Sequence, residues 1–181
     1  MENYRISQDG TVYYVTFTIT QWLPLFVREQ PCKILTDSLN YCIRNKGLLV
    51  NAYVLMPTHL HAIVADRKAD SVQLSQALDE FRKFTGRNLA DWCDKHAPEA
   101  FRRVLREEAP DDRTRRLWQP SRHPESVYSN EFMNTKVDYV HSNPVRAGLV
   151  RYAEHWRFSS AGYYASGGTE DCDVNITCLE W

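Results

Sequence analysis

The sequence predicts an α+β fold: a ferredoxin-like antiparallel β-sheet with helices packed on one face, plus an extra C-terminal helix. Three observations predict it. Some segments repeat their apolar residues every two positions, as strands do, and others every three or four, as helices do. Two of the strand segments are separated only by Pro57-Thr58, so they pair as an antiparallel hairpin. The order is strand, helix, strand, strand, helix, then one more helix, which suits helices laid over an antiparallel sheet.

The elements follow in chain order. Thr11 to Ile19 reads as a strand with Tyr13, Val15, Phe17 and Ile19 on one face and Thr16 and Thr18 on the other. Gln21 to Glu29 is a connection containing Pro24. Pro31 opens a helix, where its missing N–H costs nothing. Leu35, Leu39, Cys42 and Ile43 form the stripe of that helix, and Gly47 ends it. Leu48 to Met56 and His59 to Ala65 are the hairpin strands. Asp70 or Ser71 caps a long helix whose stripe is Leu74, Leu78, Phe81 and Trp92, with Thr85 filling the gap. From Asp94 to Arg122 the chain is charged and broken by Pro98, Pro110 and Pro120, and no element is assigned. Asn130 caps a final helix that ends before Pro144. Val145 to Trp156 reads as a turn around Gly148 and a short packed segment. Residues 1–165 are expected to form one domain, and 166–181 a tail without assigned structure.

Bulk properties narrow the function. With 181 residues, 43% hydrophobic and 25% charged, the chain is long enough for one sizeable core. A net charge of −1 lacks the basic excess of many nucleic-acid binders, so any such affinity must come from local patches. The five cysteines form no CxxC pair, which fits reduced thiols in a cytoplasmic protein. Met1 to Gly10 is polar, and no apolar run approaches the roughly 20 residues that span a bilayer. No membrane partner is expected.

Two segments carry chemistry. In Met56-Pro57-Thr58-His59-Leu60-His61-Ala62-Ile63-Val64, alternation places His59 and His61 on one face, separated by roughly 7 Å along the strand. That gap lets two imidazoles converge on one metal ion. Two hydrogen-bonded histidines on a polar sheet face would read the same way. A metal would need another ligand: an oxygen would favour Mg or Mn, a third His or a Cys would favour Zn. In the second segment, Met133, Val137 and Val140 form the apolar stripe of the last helix. Tyr139 lies off that stripe and shares a polar face with Thr135 and Asn143. A tyrosine there can present its hydroxyl beyond the core, and Asn143 can offer an amide oxygen. Ordinary packing of the tyrosine ring and a helix-ending role for Asn143 fit the spacing equally well.

These segments, taken as long strings, resemble the REP-associated tyrosine transposases, a branch of the single-tyrosine HUH transposases. The first string runs from Ala52 to Val64 and contains Tyr53-Val54-Leu55-Met56-Pro57 before the histidines. The second runs from Val137-Asp138-Tyr139 through Ser142-Asn143-Pro144 to Val150. Leu117-Trp118-Gln119 and Trp156-Arg157-Phe158-Ser159-Ser160 support it, and the strings in order cover most of residues 10–165. The resemblance implies that His59 and His61 are the HUH metal ligands, that Tyr139 is the nucleophile on the extra helix, and that Asn143 is the third ligand. It also implies a Mg or Mn ion as cofactor. Thr58 stands where the family commonly has Asn or an acid, and residues 93–116 and the tail have no clear counterpart.

The chemistry so implied is cleavage and rejoining of single-stranded DNA near a hairpin. A tyrosine attacks the phosphodiester, forms a 5′-phosphotyrosine and frees a 3′-hydroxyl, while a divalent ion polarises the phosphate. The expected partner is single-stranded or hairpin DNA, bound by a monomer or homodimer. Arg82, Lys83 and Arg87 on the long helix, then Arg102 and Arg103, then Arg115 and Arg116, are expected phosphate contacts. Trp118 and Gln119 are expected to stack on or bond to an unpaired base. The alternative is a catalytically inactive or domesticated hairpin-binding protein. A metal-binding structural protein without nucleic acid is a third class, disfavoured by the arginines and aromatics from Arg113 to Gln119.

Overall fold

A computed structural model describes residue 6, residues 10–120 and residues 124–179. The parts of the expected domain and tail at 1–5, 7–9, 121–123 and 180–181 lie outside the described residues, Arg122 among them.

Among the described residues four strands form one sheet: β1 (Val12–Thr18), β2 (Leu48–Met56), β3 (His59–Asp66) and β4 (Glu125–Val127). Their spatial order is β2-β3-β1-β4, with every neighbouring pair antiparallel. With α1 (Glu29–Asn45) between β1 and β2, and α2 (Ser71–His96) between β3 and β4, this is the expected ferredoxin-like arrangement. Each crossover joins two strands that run in the same direction with a third between them. Right-handed connection therefore puts both helices over one face.

That face carries the larger core. Tyr13, Val15 and Phe17 of β1, with Leu60, Ala62 and Val64 of β3, pack against Leu35 and Leu39 of α1 and Leu74, Leu78 and Phe81 of α2. Asp70 is the cap of α2: its carboxylate accepts from the N–H groups of Val72 and Gln73 at 2.9 and 3.0 Å. The stripe continues through Thr85 and Leu89 to Cys93. Cys93, rather than the expected Trp92, takes the buried position; Trp92 is half-buried and stacks on His96. The charged stretch without an assignment contains α3 (Glu99–Glu107), anchored by Leu105 at zero exposure.

The last long helix, α4 (Asn130–Arg146), covers the opposite face. Met133 and Val140 pack there with Val12, Tyr14, Ala52, Val54 and Ile63. Two expectations are corrected at its ends. The cap is Ser129, whose hydroxyl accepts from the Phe132 N–H at 3.2 Å, not Asn130. The helix also runs through Pro144 instead of ending before it. Proline forfeits one bond, to the Val140 carbonyl, and so close to the end the helix still closes: the Ala147 N–H reaches the Asn143 carbonyl at 2.9 Å.

The tail joins the larger core. Val174 is fully buried, and the Thr177 N–H bonds the Val50 carbonyl at 2.8 Å on the outer edge of β2. Along that edge the Leu55 N–H also meets the Phe158 carbonyl at 2.8 Å, so Trp156 to Ser160 shields β2 from further pairing.

Candidate active site

The register of the sheet builds the site. β3 pairs His61 with Thr16 of β1 and Val54 of β2, and Ile63 with Tyr14. Side chains of paired residues share a face, so Tyr14, Thr16, Thr18, His59 and His61 all project towards α4 rather than into the larger core. The two imidazoles meet with centroids 4.5 Å apart at 71°.

Each histidine is held by hydroxyls at Nδ1. The His61 Nδ1 lies 2.6 Å from the Tyr14 hydroxyl and 2.8 Å from that of Thr16. The His59 Nδ1 lies 2.8 Å from the Thr58 hydroxyl. This leaves Nε2 of each ring as the atom to present to a ligand. Burial pushes His59 down to about 4. Burial, aided by His59 and Lys136, pushes His61 down to about 3. Both rings are therefore neutral near pH 7, the form in which imidazole ligates metals.

α4 brings Tyr139 to this pair. Its ring stands edge-on to His61 at 5.6 Å and to Tyr14 at 6.0 Å, and it is 37% exposed, so the phenol is reachable from solvent. One cation flanks it, and a second flanks Tyr14. The Arg146 guanidinium sits 5.4 Å from the Tyr139 ring. Lys136, one turn earlier, lies 4.6 Å above the Tyr14 ring and pairs with Glu125 at 2.6 Å. Burial raises the Tyr14 phenol, against a lowering bond from Thr16, and Tyr139 and Glu125 add to the rise. Tyr14 is thus a neutral hydroxyl that links the histidine to the tyrosine.

Asn143 lies one turn beyond Tyr139, and its amide nitrogen donates to the Tyr139 carbonyl at 2.6 Å. That bond commits the nitrogen to the helix and makes Oδ1 the atom for ligation. Among the described residues no group of three His, Cys, Asp or Glu is arranged to hold a metal. A metal at the histidine pair would therefore draw on an amide, hydroxyl, water or phosphate oxygen. Two neutral imidazoles with oxygen donors suit a divalent ion, and the donor set fits.

The expected DNA contacts fare differently. Trp118 is a correction. It is 4% exposed, packs against Phe17 and Phe26, and its indole N–H donates to the Thr85 hydroxyl at 3.1 Å, so its faces are closed to a base. Gln119 is half-buried and serves the sheet: its N–H bonds the Thr18 carbonyl at 2.8 Å. Its carbonyl in turn accepts from Arg82 at 2.5 Å. Arg115 pairs with Asp94 and, at 2.8 Å, with Asp91. Arg102 pairs with Glu99 at 2.8 Å and Arg103 with Glu107 at 3.7 Å. Lys83 and Arg87 are exposed one turn apart on α2, and with Arg116 they line a cleft of about 890 Å³. α2 covers the face away from Tyr139, so these cations are not part of the histidine–tyrosine cluster. Sequence reasoning missed Tyr14, Lys136 and Arg146. Tyr14 was legible in principle, since it shares its strand face with Thr16.

No protein-family model matches the sequence, and no curated protein matches it. Among solved structures, one of a REP-associated tyrosine transposase bound to a REP hairpin superposes with a TM-score of 0.63 at 19% identity, over 95% of this chain and 89% of that one. The chain has that transposase's fold. A second structure, of a candidate transposase from Deinococcus radiodurans R1, gives a TM-score of 0.47 at 16% identity, over 77% of this chain and 95% of that one. Among the described residues no helix is long and apolar enough to cross a membrane.

Proposed function

We propose that the chain is a metal-dependent single-tyrosine transposase of the REP-associated type, cleaving and rejoining single-stranded DNA near a hairpin. The observation that carries this reading is the seating of Tyr139 against His61, 5.6 Å ring to ring, across a gap spanned by only one sheet and one helix. A partly exposed phenol beside two neutral, hydroxyl-oriented imidazoles and two cations is an arrangement for phosphoryl transfer. The fold shared with a transposase described as bound to a REP hairpin supports a folded strand as the substrate.

The residues divide the work. Arg146 and Lys136 offset the charge of the phosphate approaching Tyr139. The Tyr139 oxygen attacks phosphorus as its proton passes to water. A phosphorus–oxygen bond to Tyr139 forms while the bond to the 3′ oxygen breaks, and that oxygen leaves as a 3′-hydroxyl after taking a proton. The product is a 5′-phosphotyrosine, and attack by another 3′-hydroxyl reverses the step at a new junction. His59 and His61, with Asn143, would hold Mg or Mn. When bound, the ion supplies Lewis-acid polarisation of the scissile phosphate. The histidines and the tyrosine belong to one chain, so a monomer suffices for one cut, and a homodimer would carry two such sites. The proposed setting is the cytoplasm.

The test is incubation with labelled hairpin DNA bearing single-stranded flanks, plus Mn, followed by denaturing electrophoresis. Wild type is expected to give a covalent adduct, and Tyr139→Phe none, with hairpin affinity retained. An adduct in Tyr139→Phe would reassign the nucleophile. Unchanged cleavage by His59→Ala/His61→Ala in chelator would remove the metal role.

A further inference from the structure

The turn that leaves β1 holds its backbone in an unusual state. Gln21 and Trp22 both adopt positive φ, 49° and 54°, in a stretch without glycine. L-residues with large side chains rarely enter that region, because Cβ crowds the following carbonyl. Here the conformation is imposed from several sides. The Ile19 N–H bonds the Thr58 carbonyl at 3.0 Å, the Thr20 N–H bonds the Leu117 carbonyl at 2.7 Å, and the Trp22 N–H returns to the Ile19 carbonyl at 3.0 Å. The Gln21 side chain is tied to Glu108 at 2.5 Å.

This strain does not bury the tryptophan. Trp22 is 57% exposed, and its indole stands edge-on to His59 with centroids 5.6 Å apart. A large apolar ring kept in water by a strained backbone is doubly unfavourable for stability, which points from the outlier to a use. The ring borders the histidine pair, where a scissile phosphate would lie, so a nucleotide flanking that phosphate would come within reach of the indole face.

We propose that Trp22 is a stacking platform for one unpaired base beside the cleaved phosphate. This rests on the transposase reading above. Stacking on an aromatic face tolerates any base, so the platform sets the register of the strand rather than its sequence. It also takes over the part that the sequence suggested for Trp118, whose ring is spent in the core.

The experiment measures affinity for a labelled hairpin with a single-stranded flank, and for the same hairpin without a flank. Trp22→Ala is expected to weaken flanked DNA by about 5- to 150-fold, the usual loss for one stacked base, and to leave the bare hairpin unchanged. Trp22→Phe keeps a π-face and retains most of the affinity. Trp22→Gly relieves the positive φ, so it raises Tm while losing affinity as Ala does; a merely structural tryptophan would lose both. One abasic site in the flank should reproduce the loss in wild type and add nothing to Trp22→Ala. Wild-type affinity in Trp22→Ala, with the Tyr139-dependent adduct still forming, would overturn the platform and leave the transposase reading intact. Absence of both DNA binding and adduct in wild type would remove the transposase reading, and the platform with it.

Discussion

Trp118 separates a core role from a DNA role by magnitude. The indole sits at 4% exposure, with Phe17 and Phe26 centroids at 5.9 and 6.1 Å. A Cβ on Gly86 would come within 3.2 Å of it, so α2 carries glycine there to let the ring lie against the helix backbone. Replacing Trp118 with Ala deletes these contacts and opens a cavity, at a cost of about 3–5 kcal/mol. For a chain of this size that is a Tm loss of roughly 6–20 °C. Trp118→Phe keeps most of the ring but leaves the Thr85 hydroxyl without its indole donor. Thr85 is fully buried and still donates to the Phe81 carbonyl at 2.7 Å. Only its acceptor side is orphaned, a loss of about 1–3 kcal/mol. The assay is thermal unfolding beside hairpin affinity measured well below Tm. Both variants should bind DNA as wild type does. A Tm unchanged within about 1 °C together with lost DNA affinity would refute the core assignment, because ΔΔG would then be near zero.

Three further outcomes can be measured. His59, His61 and His141 are all pushed down, to about 4, 3 and 4, with burial the leading cause in each. The unfolded chain therefore takes up protons first. Stability contributed by keeping these rings neutral is complete above the ordinary histidine pKa near 6.5 and declines as pH falls towards about 4. The expected decline is on the order of 1 kcal/mol per histidine between pH 6 and pH 5, seen as a falling Tm that His141→Gln makes shallower. A Tm flat from pH 7 to 5 would contradict the burial of these rings. Second, Tyr14→Phe with Thr16→Val removes both hydroxyls from the His61 Nδ1; Mn affinity by calorimetry should drop about 10- to 100-fold, with the fold unchanged by circular dichroism. Equal affinity would show that the hydroxyls do not orient the ligand. Third, Lys83→Glu/Arg87→Glu should weaken DNA binding more at low salt than at high salt, and Arg115→Ala should instead act on stability through Asp91 and Asp94. Wild-type affinity at low salt in the double reversal would clear that face of α2 of a DNA role.

Local features were the legible ones. Alternation along β3 placed His59 and His61 together, because side-chain direction in a strand needs no tertiary information. Asp70 was readable as a cap from its position before an apolar stripe. What pattern could not supply was competition between similar residues. Trp92 and Cys93 are adjacent, and only the approach of the neighbouring segments decides which is buried. Trp118 has the same letter whether it stacks on a base or on Phe17. The stretch from Asp94 to Arg122 hid α3 because its apolar residues Phe101, Val104 and Leu105, though helically spaced, span little more than one turn of a nine-residue helix among many charges. Pro144 misled for a related reason: the rule against proline weakens in a last turn, where few bonds remain to be lost.

The approach of Tyr139 to the histidines follows from the sheet having two unequal faces. α1 and α2 arise from the two crossovers, and handedness sends both to the same side. The other face, with Val12, Tyr14, Ala52, Val54 and Ile63, is too apolar to be left in water. A further helix must cover it, and α4 does so with Met133 and Val140. Once those two side chains are seated, the 100° step between residues turns Tyr139 from Val140 towards the His61 end of the strands. There the face turns polar with Thr16, Thr18 and His59. The phenol therefore lies at the boundary between the apolar part that fixes the helix and the polar part that remains open. Enlarging Val140 would shift that seating, since at zero exposure it has no room to grow. The same packing that stabilises the fold thus also sets the distance between the tyrosine and the histidine pair.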